Sequence, residues 1–134
     1  MRLHLTFICL LAATACDEKG PTGPAIVLNE EFTLRRGEAA AVEGASIGLQ
    51  FVQVTNDSRC PADALCIQGG DAIVHVRVLE GGGTANYELH TGDARQSVAV
   101  HRDFSIQLVR LEPYPFSSRP INPSDYRATL LVRR

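Results

Sequence analysis

Thiols and imidazoles are the side chains in this 134-residue chain best suited to chemistry, and they are few: cysteines at 9, 16, 60 and 66, histidines at 4, 75, 90 and 101. Cys60 and Cys66 are separated by five residues, Pro61 to Leu65. Two thiols so placed can pair, bind a soft metal or run redox chemistry. Redox thiols favour a two-residue spacing near a helix N-terminus that lowers the thiol pKa, and neither feature occurs here. His75, His90 and His101 fall on three successive extended segments, where imidazoles facing across strands can hold copper or zinc. The competing reading is that all three lie on the solvated face. Asp71 shares the His75 face but sits four residues before it. No nucleophile elbow, phosphate loop, zinc-protease helix or calcium loop occurs. None of the serines at 46, 58, 97, 105, 117, 118 and 124 has a local motif that would mark it as activated. Paired carboxylates such as Glu30-Glu31, which precedes a strand, are expected to face water. Nothing in the pattern marks the chain as an enzyme.

The elements that must carry these residues read as strands. Phe32-Thr33-Leu34 runs to a turn at Arg36-Gly37, and Ala39 to Val42 is a short second strand. Ile47, Leu49 and Phe51 alternate; Val52 and Val54 then take over the apolar phase, which predicts a bulge or a strand that changes sheets. Ala72, Val74, Val76 and Val78 line one face of the next strand, followed by Tyr87 and Leu89, then Val98 and Val100. Phe104, Ile106 and Leu108 alternate, with Val109 and Leu111 out of phase. Tyr126, Ala128, Leu130 and Val132 close the series. No stretch of helical length has three-to-four spacing. Seven to eight short strands between turn signals predict an all-β, immunoglobulin-like β-sandwich, with a small β-barrel as the alternative.

One hairpin can be given a register. With Gly81-Gly82-Gly83-Thr84 as the loop, Glu80 faces Ala85, Val78 faces Tyr87 and Val76 faces Leu89. Arg77 then opposes Glu88, and His75 opposes His90.

The amino-terminal segment speaks to location. Met1-Arg2, an apolar run from Leu5 to Ala12 and the small residues Ala13-Thr14-Ala15 precede Cys16, and polar Asp17-Glu18-Lys19 follow it. The run falls short of the about 20 residues that a membrane-spanning helix needs. The segment resembles the bacterial lipoprotein signal, with Ala13 where leucine is usual. That resemblance implies removal of residues 1–15 and acylation of Cys16, anchoring the protein in the cell envelope by two or three chains. An ordinary signal cleaved after Ala15 is the alternative, but it leaves three cysteines in an exported protein, an odd number. Acylating Cys16 leaves Cys60 and Cys66 to pair, and a disulfide is the default outside the cytosol. Asp17 resembles a signal that retains lipoproteins in the inner membrane of some enteric bacteria; sorting differs among bacteria, so either membrane is compatible. Residues 16–25 read as a flexible stalk, and 26–134 as a single domain.

The stretch Asp57-Ser58-Arg59-Cys60-Pro61, with Cys66 six positions after Cys60 and glycine before an alternating strand, resembles small uncharacterised bacterial lipoproteins. The resemblance covers residues 57–78 and implies neither activity nor ligand. Near Gly69 those sequences often carry an aromatic residue and alanine, where this chain has Ile67-Gln68-Gly69-Gly70. Asp57 is expected to cap turn amides, and Arg59 to pin the loop through Asp57, Asp63 or a strand-end carbonyl. From Glu112 to Ser124, four prolines and two aromatics exclude a central strand. Tyr114 and Phe116 there either cap the open end of the core or present an aromatic surface to an envelope protein or glycan.

The charge is near balance, 13 Lys+Arg against 15 Asp+Glu. No basic block supports a nucleic-acid partner. The chain therefore reads as a lipid-anchored, non-enzymatic envelope sandwich that binds a partner through Asp57, Arg59, Tyr114 and Phe116, without a cofactor. The alternative is a copper- or zinc-binding lipoprotein using the strand histidines.

Overall fold

A computed structural model describes residues 23–134. The expected signal over residues 1–15, Cys16 and the stalk as far as residue 22 lie outside the described residues. Eight strands form: β1 (Glu31–Arg35), β2 (Ala39–Ala41), β3 (Ile47–Thr55), β4 (Ile73–Glu80), β5 (Gly83–His90), β6 (Val98–His101), β7 (Phe104–Glu112) and β8 (Arg127–Arg133). They make two four-stranded antiparallel sheets, ordered β1-β8-β7-β6 and β2-β3-β4-β5. The chain crosses between sheets after β1 and again after β5, and no strand ladder joins the sheets at either crossing. The result is the expected sandwich, not a closed barrel.

Alternation builds the core. Leu49 and Phe51 of β3, Val74, Val76 and Val78 of β4, Leu89 of β5, and Ile106, Ala128, Leu130 and Val132 from the facing sheet are all buried. Each such side chain larger than alanine stabilises by about 2 kcal/mol on leaving water. Both predicted phase changes are bulges. Val52 is unpaired between Phe51 and Gln53, so Val54 lies opposite buried Val74 and packs on the core. Val109 is the extra residue between Leu108 and Arg110. It points outward, and Leu111 returns to the core opposite Ala128.

Two expectations need correction. The β4–β5 connection is the two-residue turn Gly81-Gly82, which adds Gly83 and Thr84 to the ladder. Two-residue loops are the commonest hairpin connections. The register therefore moves by two: Val78 opposes Ala85, Val76 opposes Tyr87, and Arg77 opposes Asn86 rather than Glu88. A shift of two keeps every side chain on its face, so the core survives while His75 meets Glu88, not His90. In β6, Val98 and Val100 face out, and Ala99 and His101 turn inward. His101 bridges the seam between sheets, its Nδ1 2.8 Å from the Tyr87 hydroxyl and its Nε2 2.7 Å from Glu80. Beside β2, the Gly23 amide donates to the Ala39 carbonyl at 2.8 Å.

The connections gather at two ends. At one, here the cysteine end, lie the loop from β3 to β4, the β5–β6 turn, the proline-rich β7–β8 segment and the β1–β2 turn, where Gly37 takes φ 83°. If the β7 bulge sets the phase, Leu111→Ala should cost about 3 kcal/mol in urea unfolding. Val109→Ala should stay within about 0.5 kcal/mol. The reverse ranking would contradict this assignment.

Candidate functional site

The cysteine end is organised around Arg59. Asn56, at φ 51°, turns the chain out of β3, a backbone region that asparagine tolerates. Two residues on, the Arg59 guanidinium grips Asp57 bidentately, Nε to Oδ1 at 2.8 Å and Nη2 to Oδ2 at 2.7 Å. Its remaining donors cross to the end of β7 and the proline-rich segment: Nη1 reaches the Leu111 carbonyl at 2.8 Å and Nη2 the Pro113 carbonyl at 3.0 Å. The Glu112–Pro113 peptide between those carbonyls is cis. The Tyr126 hydroxyl donates to Asp57 Oδ2 at 2.7 Å. The pair is buried, with 5% of the Arg59 and 13% of the Asp57 side chain exposed. A planar, five-donor fork suits this mixed set of carboxylate and carbonyl partners; an ammonium does not.

The electrostatics follow from the contacts. Burial alone pushes the Asp57 carboxyl upward, but the Arg59 and Tyr126 hydrogen bonds and the Arg59 charge outweigh it, so the group ionises below the usual range. Burial, and then the Asp57 carboxylate beside it, push the Tyr126 phenol up to about 12. Sequence reading gave Tyr126 only a core position. The hydroxyl was the available signal, since a buried tyrosine normally finds a partner for it.

The cysteine loop is closed by the Cys60–Cys66 disulfide, with Cα atoms 6.0 Å apart. In the chain-entropy model so short a loop contributes about 2 kcal/mol. Two further ties bind it to the proline-rich segment: Ala62 N–H donates to the Pro115 carbonyl at 2.9 Å, and Ser117 N–H to Asp63 Oδ1 at 2.8 Å. Ser58 and Asp71 fasten the loop's base by exchanging bonds of 2.7 to 3.1 Å. Gly70 is required there, because a Cβ would collide with the Ser58 carbonyl, whereas one at Gly69 would meet open space.

Tyr114 and Phe116 do not cap the core. Both are exposed, and Ile121 packs against the core from this segment instead. Arg59 lies under the Tyr114 ring, 5.5 Å from its centroid, and Arg119 over Phe116 at 5.1 Å. The two rings border a depression of about 410 Å³ floored by Pro113, Pro120 and Ile121. The four expected site residues are thus brought together, with Asp57 and Arg59 as the concealed brace and the aromatics as the exposed face.

The histidines are dispersed by the hairpin register. His75 Nε2 lies 2.7 Å from the Thr55 hydroxyl, and His101 is held by Tyr87 and Glu80. His90 Nδ1 contacts Asp71, which also accepts from Gly92 N–H at 2.8 Å and the Thr91 hydroxyl at 3.2 Å. Burial works against that carboxylate, but those donors, His90 foremost, hold it below its usual range. Asp71 was placed with His75 by sequence; it serves the β5–β6 turn. Among the described residues no group of three His, Cys, Asp or Glu side chains stands together as a metal site. No protein-family model matches the chain, and neither curated proteins nor solved structures give a match.

The folded Asp57 ionises below the unfolded value of about 3.9, so its contribution is complete above that value and is lost as pH falls through the lower folded one. Asp57→Ala should cost about 3 kcal/mol at pH 7 by stranding a buried guanidinium. The difference from wild type in urea unfolding should shrink below about pH 3. An equal penalty at both pH values would refute the assignment.

Proposed function

We propose that the protein is a lipid-anchored, non-enzymatic β-sandwich of the bacterial cell envelope that acts as a binding module. The anchor is acylated Cys16, and the contact surface is the cysteine end. One observation carries the binding reading: Tyr114 and Phe116 are held in the open by Arg59 and Arg119 on a segment that the fold braces from beneath. Exposed aromatics with little freedom to lose on association are what a recognition surface uses. An envelope protein or a glycan, each able to stack on an aromatic ring, fits such a face. The alternative is a copper- or zinc-handling lipoprotein using the strand histidines; the register supports it less, since His75 lies opposite Glu88 and His90 opposite Ile73.

Both halves can be tested in the producing cell. Wild-type protein should sediment with membranes, and Cys16→Ser should release it to the soluble fraction. A photo-crosslinking residue at position 116 should trap a discrete partner in the intact envelope, and Tyr114→Ala should reduce that adduct severalfold. An adduct indifferent to Tyr114, or one formed equally from position 100 on β6, would contradict the assigned surface.

A further inference from the structure

Leu65 and Ile67 are the most exposed large apolar side chains described, each at 105% of its reference area. A single exposed leucine needs no explanation; this pair does, because it flanks Cys66 on a loop held from several directions. The disulfide, the Ala62–Pro115 bond and the Asp63–Ser117 bond all lie within five residues of Leu65. The tip is therefore presented rather than left over from a mobile segment. From Ala64 to Gly70 the chain carries no charge at all, Gln68 being the sole polar side chain. Charges are what make entry into a bilayer costly.

The direction of the chain says what meets this tip. Residues 23 to 26 run parallel to β2, with Gly23 beside Ala39 and Ile26 beside Val42. β2 is antiparallel to β3, with Ala39 opposite Gln50. Traced backwards, the chain at Gly23 thus heads toward the end where β3 leaves for the cysteine loop. Gln50 is five residues from the end of β3, about 17 Å at strand rise. Cys16 precedes Gly23 by seven residues, which span at most about 25 Å. An acyl anchor at Cys16 therefore reaches the level of the cysteine end with little chain to spare.

We infer that Leu65 and Ile67 insert into the interfacial region of the bilayer that holds the anchor, fixing the sandwich with its cysteine end toward the membrane. This rests on the acylation of Cys16 proposed above. It deepens that reading by placing Tyr114 and Phe116 at the membrane surface, where their partner must be found. Acyl chains alone hold a protein at a bilayer without orienting it. A braced apolar tip supplies the orientation.

The chain has no tryptophan, so Leu65→Trp introduces a sole indole reporter, and Ile67→Trp reads the same contact from the other side of Cys66. Acylated full-length protein is reconstituted into phosphatidylethanolamine–phosphatidylglycerol vesicles with and without brominated acyl chains. Flotation with the vesicles reports the anchor; quenching reports the orientation. Bromolipid should lower emission from positions 65 and 67 at least twofold and leave Val100→Trp, toward the opposite end of the fold, unchanged. Protein that floats but shows no bromolipid quenching at 65 and 67 overturns the orientation while the anchor stands. Indoles shielded from aqueous acrylamide yet untouched by bromolipid would mean that a second copy or another protein covers the tip, which also overturns it. Protein that fails to float overturns both.

Discussion

A single arginine determines whether this molecule has a defined cysteine end. The sheets end at Thr55 and Glu112, and beyond them two long connections must lie side by side with almost no core between them. Arg59 joins them by satisfying a carboxylate on its own loop, a carbonyl at the end of β7 and a carbonyl on the other connection. The desolvation cost of burying such a charge is large unless its partners are complete, and here Asp57, itself completed by Tyr126, supplies the countercharge. The disulfide, the Ala62–Pro115 bond and the Ser117–Asp63 bond then fasten loops whose relative position is already set.

The β7 bulge belongs to the same arrangement. By displacing Val109 outward it returns Leu111 to the core, and that residue's carbonyl receives Arg59 Nη1. Core packing and the polar brace therefore share a residue. Above the brace, Arg59 also underlies Tyr114, so the buried pair continues into the exposed aromatic face. Rigid loops with exposed apolar and aromatic tips lose little entropy on contact. That links the fold's stability at this end to its proposed work there.

Much of this was legible in the residues, for reasons that can be named. Alternation in β3, β4, β7 and β8 marked the sandwich, and the breaks of phase at Val52 and Val109 marked its bulges. Hairpin register was harder, because a run of three glycines accepts turns of two or four residues without changing which face is buried. The core pattern could not choose between them, and the histidine pairing failed with the choice. In β6 the valines misled: that strand is short, lies at a sheet edge and turns Ala99 and His101 inward, His101 being satisfied by partners from two other strands. Asp57 and Arg59 were readable as a brace because a short acid–base pair opens the loop. Which carbonyls they reach, and that Tyr126 joins them, depends on contacts over 50 to 70 residues apart in sequence.

Amide hydrogen exchange in wild type and Arg59→Lys tests the central claim most directly, since lysine keeps the charge but cannot serve a carboxylate and two carbonyls together. The brace predicts that the amides of Ala62 and Ser117 lose protection together in the variant, while the core amides of β4 and β8 keep theirs. Unchanged protection at Ala62 and Ser117 would show that the loops hold without Arg59 and would contradict the account.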